Sequence, residues 1–168
     1  MRSGPLVSLI LMLLLCACSH DEAAQPDAAV RPDARGIMKS DLERIYEGAV
    51  AYYGTTHTDF DHAILAQQYP VSEAKTPAQA CCAAPMMVCA DDTAFLDQAG
   101  WMAVGFFPTQ PQLFQFEFIT SGIDATAQFE ARATGDPDCN GHVEVWHIAG
   151  KAIGGTQTKL ESPVEQIQ

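Results

Sequence analysis

From Ser40 to Tyr53 the apolar positions Leu42, Ile45, Tyr46, Ala49, Val50 and Tyr53 recur in steps of three and four. That period places them on one face of a helix. Ser40-Asp41-Leu42-Glu43 has the form of a capping box, with a hydroxyl to accept the N–H three residues on and a glutamate to reach back. Gly54 supplies a stop. From Gly54 to Trp101 no period is sustained, and Pro70, Pro77, Pro85 and three cysteines interrupt the chain. A long connecting loop with short helical turns is expected there, and a loop of that length needs something to pin it.

The period then changes to two. In Leu113–Ile119 the side chains of Phe114, Phe116 and Phe118 share one face, and Leu113, Gln115, Glu117 and Ile119 the other. In Ala125–Ala133, Ala125, Ala127, Phe129, Ala131 and Ala133 alternate with Thr126, Gln128, Glu130 and Arg132, and His142–Ile148 alternates more weakly. These are three strand signals, separated by turn residues at Ser121-Gly122 and Gly135–Gly141. The expected fold is α+β: an N-terminal amphipathic helix packed on the Phe face of a small antiparallel sheet, with a long disulfide-pinned connecting loop. Lys159–Gln168 reads as a polar tail.

Length and charge narrow the possibilities. The chain has 168 residues, and 9 Lys and Arg against 21 Asp and Glu leave a net charge of −12. Such a balance argues against a nucleic-acid partner, because a phosphate backbone is neutralised by Lys and Arg. The first residues read as an address. Arg2 precedes an apolar run, Pro5–Leu15, far shorter than the roughly 20 residues a spanning helix needs. Leu15-Cys16-Ala17-Cys18 then puts a small residue directly before a cysteine and an aliphatic one three before it. This resembles the lipobox of bacterial lipoproteins and selects Cys18, whose acyl chains, palmitate among them, would hold the protein on a membrane. Residues 1–17 are therefore expected to be a lipoprotein signal peptide, 18–36 a flexible tether rich in Ala, Pro and Asp, and 37–168 the globular domain. The expected location is the cell envelope, periplasmic or surface-facing.

In an oxidising compartment the four remaining cysteines, Cys81, Cys82, Cys89 and Cys139, imply two disulfides. Neighbours Cys81 and Cys82 would close a strained ring, which leaves Cys81–Cys89 with Cys82–Cys139, or Cys82–Cys89 with Cys81–Cys139. Their spacing does not suit zinc. Asp136, Asp138 and Asn140, followed by Gly141, look like the opening of a calcium loop, but the twelfth position is His147 where a bidentate Glu belongs. They are candidate calcium ligands with a polar turn as the rival. His142, Glu144 and His147 do not converge on one strand face. No nucleophile–base motif is legible, so no catalytic residue and no organic cofactor are assigned.

The order of features resembles the globular head of a type IV pilin or pseudopilin. The matching residues are Cys81-Cys82 with Cys89, Trp101 with Val104-Gly105-Phe106, Phe114–Phe118, Phe129–Ala133, and Gly135-Asp136-Pro137-Asp138-Cys139-Asn140-Gly141. The resemblance covers about Ile37–Ile148. The prepilin peptidase site and the long apolar helix of such subunits are missing, and a lipid with a tether stands in their place. The resemblance implies a non-enzymatic, lipid-anchored pilin-like envelope protein, making protein–protein contacts or serving as an accessory of a type IV pilus or secretion-like apparatus. The alternative is a periplasmic lipoprotein that binds calcium or a small ligand.

Overall fold

The computed structural model describes residues 33–89 and 93–168. The expected signal peptide, Cys18 and most of the tether lie outside the described residues. Helix α1 spans Ala34–Tyr53. Asp33 caps it, its carboxylate accepting the Gly36 N–H at 3.0 Å. The helix thus starts ahead of the expected Ser40: residues 34–36, assigned to the tether, form its first turn, and Ser40 lies inside it rather than at its cap. Met38 extends the apolar stripe by one turn, and Met38, Leu42, Ile45, Ala49 and Tyr53 are all buried.

Five strands follow, β1 Glu73–Thr76, β2 Phe114–Ser121, β3 Gln128–Gly135, β4 Glu144–Gly154 and β5 Gln157–Gln166. They form one antiparallel sheet in the order β1-β2-β3-β4-β5. Between β1 and β2 lie two short helices, α2 Thr93–Leu96 and α3 Ala99–Val104.

The expected α+β class is corrected. Among the described residues a five-stranded antiparallel sheet dominates, and only α1 is longer than six residues. Two segments account for the difference. The region read as a long loop contributes edge strand β1 and several short helical turns. The segment read as a polar tail is β5. At a sheet edge both faces of a strand meet water, so the apolar alternation that reveals an inner strand is missing.

The inner face is built on size complementarity. Register sets Phe116 opposite Ala133 and Phe118 opposite Ala131, so rings on β2 stand beside methyl groups on β3 and α1 can come close above them. Phe114, Phe116, Phe118, Ala131 and Ala133 are fully buried. Phe95 of α2, Trp101 of α3 and Phe106 extend this layer, with ring centroids 5.5 Å apart for Phe95–Trp101 and 5.1 Å for Phe106–Phe116. Each such ring contributes about 1.5–3 kcal/mol of burial. The Trp101 indole donates to Thr76 Oγ1 at 3.0 Å, tying α3 to β1. Gly105 ends α3 in the left-handed region, φ 63°, a conformation that favours glycine.

Two contacts orient α1. Arg35 pairs with Glu144 at the start of β4, and the Tyr53 hydroxyl donates to Asp124 O at 2.8 Å, in the turn between β2 and β3. One end of the domain therefore holds the start of α1 with the turn 136–143. The other holds the loop after α1, the β2–β3 turn and the β4–β5 hairpin.

Candidate functional site

The cysteines settle at the first of these ends. Cys81 is joined to Cys89, with S–S 2.03 Å and Cα–Cα 4.4 Å, and Cys82 to Cys139, with S–S 2.06 Å and Cα–Cα 5.6 Å. Of the two pairings left open, this is the one formed. Successive residues in the helical turn Cys81–Ala83 point different ways, Cys81 into the interior and Cys82 towards the turn after β3. Cys81–Cys89 closes the irregular segment 77–89 on itself, and Cys82–Cys139 fastens it to the turn after β3 at the sheet's end.

In the Asp-rich turn, Asp136 accepts the Asn140 N–H at 3.1 Å and the Gly141 N–H at 2.7 Å. Asn140 donates to Asp138 at 2.9 Å and accepts from the His142 N–H at 2.8 Å. Slight desolvation lifts the Asp136 carboxyl, but the Gly141 amide and its other donors outweigh this and hold it below the usual carboxylate value. The turn's oxygens thus serve donors of the turn itself, backbone amides at Asp136 and Asn140 and the Asn140 side-chain amide at Asp138. Among the described residues no group of three or more His, Cys, Asp and Glu is arranged to hold a metal ion. Glu144 faces α1, bonded to Arg35 and to the Trp146 indole at 3.0 Å. His147 faces the opposite side of the sheet.

On that outer side four strands, β2 to β5, bring together a cluster that sequence reading missed. Glu130 of β3 receives Arg132 through two bonds, 2.8 and 2.7 Å, and Glu117 of β2 lies 3.9 Å from Arg132. Glu130 Oε1 lies 2.8 Å from His147 Nδ1. His147 Nε2 is 3.1 Å from Glu165 Oε1 and 3.2 Å from Ser162 Oγ, both on β5. The paired Arg132, foremost, holds the Glu130 carboxyl below its usual value, and the Ser162 hydroxyl, followed by His147, does so for Glu165. Burial pulls the His147 imidazole down, but its bonds to Glu130 and Glu165 outweigh this and raise it.

Ser162, His147 and Glu130 stand in the order nucleophile, base, orienting carboxylate. Their proton geometry opposes that chemistry. The Ser162 hydroxyl lies 2.6 Å from Glu165 Oε1, closer than to His147, so its proton points at a carboxylate. Both ring nitrogens face carboxylates, which favours the imidazolium, and an imidazolium cannot accept a proton from serine. A second anion beside Oγ also opposes a developing oxyanion.

Elsewhere, a cleft of about 370 Å³ beside the Cys81–Cys89 bridge is lined by Pro77, Met86, Val88, Phe95 and Pro108, with no titratable side chain among its lining residues. The opposite end of the domain exposes large apolar side chains: Phe60, Ile64 and Leu65 in the loop after α1, Ile123 in the β2–β3 turn and Ile153 near the end of β4. Phe60 is fully exposed on a tight turn. The Asp59 carboxylate shapes that turn by accepting the N–H groups of Asp61 and Ala63, both at 2.9 Å. Single exposed apolar residues are ordinary, and Met86, Val143 and Ile167 are exposed at the bridged end as well. The irregular loops carry no period, so only the folded topology reveals this grouping. No family model, no curated protein and no solved structure matches this chain.

Proposed function

We propose that this is a lipid-anchored, non-enzymatic envelope protein that works by protein–protein contact, as an accessory of a type IV pilus or secretion-like apparatus. The observation that carries the reading is the complete pairing of the domain's four cysteines. Disulfides persist in exported proteins and are rare in reducing compartments, which agrees with a lipobox that ends in Cys18. Acyl chains on Cys18 attach the protein to a membrane. Among the described residues no helix is long and apolar enough to do so by crossing it.

The contact role is supported by the exposed end that carries Phe60, Ile64, Leu65, Ile123 and Ile153. The segment from Cys18 joins the domain at the start of α1, the other end of the molecule. The order of helix, cysteine pair, aromatic strand and Asp-rich turn is what connects the chain to a pilus-type apparatus. The test is mass spectrometry of the membrane-associated protein, with a photo-crosslinking residue placed at position 60. Acylated Cys18 and an adduct to a specific envelope protein, lost when the probe is moved to Val143, are expected. An unacylated Cys18 ends the anchoring claim, and the absence of a discrete adduct ends the contact claim.

A further inference from the structure

Between β4 and β5 the register slips. Glu165 lies opposite His147 and Ser162 opposite Ala149, so β5 takes one residue more than β4 over the same span. Pro163, which has no N–H to donate, sits inside this bulge. Beyond it the chain rejoins β4: Gln166 lies opposite Trp146, the Ile167 N–H donates to Val145 O at 2.8 Å, and the Val145 N–H donates to Gln168 O at 3.0 Å. Residues 164–168 thus cover the edge of β4 past a weak joint.

His147 lies across that joint. Its Nδ1 is 2.8 Å from Glu130 Oε1 and its Nε2 3.1 Å from Glu165 Oε1. An ionised carboxylate only accepts, so both contacts are hydrogen bonds only when the ring carries both protons. A neutral ring has one. With that proton on Nδ1, the Nε2 lone pair faces a Glu165 oxygen. The Ser162 hydroxyl, within 3.2 Å of Nε2 and 2.6 Å of Glu165, then turns to the ring, and Glu165 loses both donors.

We propose that His147 is a proton-operated latch across the β5 bulge: as the imidazolium it fastens residues 164–168 to β4, and as the neutral imidazole it releases Glu165 and uncovers the backbone edge of β4 around Val145.

The charges around the ring agree with this. β3 presents Glu130 and Arg132, with Arg132 directly opposite His147 in register. β2 presents Glu117, and β5 presents Glu165. Farther along the same face Lys151 of β4 pairs with Glu161. Arg132 opposes protonation of its neighbour, but its own charge is engaged by Glu130 and Glu117. Two carboxylates touching the ring outweigh it. Since the folded value is raised, the latch is fully fastened below the ordinary histidine value of about 6.5 and is lost as pH rises through the raised one.

The test is amide hydrogen exchange on the full chain in detergent, corrected for intrinsic rates, between pH 5.5 and 8.5, with His147 followed by nitrogen NMR. Protection of the Val145 and Ile167 amides is expected to fall about tenfold with the midpoint of the His147 titration, while β2 and β3 amides stay unchanged. Above that midpoint the ring should carry its proton on Nδ1. In Glu165→Gln the side-chain amide can donate as well as accept, so the latch holds in both states and the step disappears. His147→Gln should also show no step. Flat protection through the His147 titration overturns the proposal, as does a step that survives in either variant.

Discussion

Gly48 of α1 faces the Val104 backbone at the end of α3, and replacing it by alanine tests the packing of the domain. A Cβ there would fall on the carbonyl oxygen of Val104, with the carbonyl carbon 2.8 Å and the Val104 Cα 3.1 Å away. The obstacle is backbone, so no side chain can swing aside and α3 must move as a unit. That helix carries Trp101, fully buried and bonded to Thr76, with Phe95 and Phe106 packed on its ring. In an open helix Gly→Ala stabilises by about 1 kcal/mol. Overpacking of a filled core costs about 1–3 kcal/mol, and displacing a layer of aromatic rings belongs at the upper end. The net expectation is a loss of about 1–2 kcal/mol, or ~3–8 °C in melting temperature for a domain of this size. It is read by a thermal melt of the oxidised protein, together with a weakened near-ultraviolet signal from Trp101. An unchanged or raised melting temperature with that signal intact would falsify the account of the α1–α3 contact.

Phe116→Asp puts a charge beneath α1 beside Phe106, at a fully buried site. It should cost more than about 4 kcal/mol and leave the chain unfolded by circular dichroism; a cooperative melt near that of the parent contradicts the assignment of the inner face. The two disulfides should differ in weight because they close loops of separation 57 and 8. Chain entropy gives about 4 kcal/mol for Cys82–Cys139 and about 2.5 kcal/mol for Cys81–Cys89, so paired Cys→Ala replacements in denaturant melts should rank in that order, and the reverse ranking counts against it. The Asp136, Asp138 and Asn140 oxygens are engaged by their own turn, so millimolar calcium should shift the melting temperature by less than about 1 °C; a larger, saturable rise establishes a site by mass action.

The features legible in the sequence are those whose two sides differ. β2 shows Phe114, Phe116 and Phe118 against Gln115 and Glu117, and the structure buries the three rings. Even here Gln115 departs from its expected exposure, because its side chain donates to Pro77 O at 2.7 Å under the folded-over disulfide segment. β5 has no such contrast, so Lys159–Gln168 read only as polar. The start of α1 was hidden because Asp33 caps a first turn with no apolar period. Cysteine number was readable, but partner choice depended on the directions in which Cys81 and Cys82 point. The cluster on the outer face was beyond reach for a stricter reason. Glu130, His147, Ser162 and Glu165 meet only through the register of β3, β4 and β5, which shifts between His147 and Ala149 and twice more along the last pair. Moving a strand by one residue would send each side chain to the other face, and no local pattern carries that register.

The sheet separates what holds the fold from what can be adjusted. Its inner face, with α1 and the aromatic layer, supplies the burial, and both disulfides close the end where α1 starts. The outer face carries charges that water screens, each pair worth at most about 1 kcal/mol, so that network can be rearranged or substituted without loss of the core. The end with Phe60 and Ile123 has no covalent bridge among the described residues. Local opening there should need less free energy than at the bridged end. A domain bridged at the end where α1 begins and unbridged at the other, where Phe60 and Ile123 are exposed, leaves the unbridged end the freer to adjust.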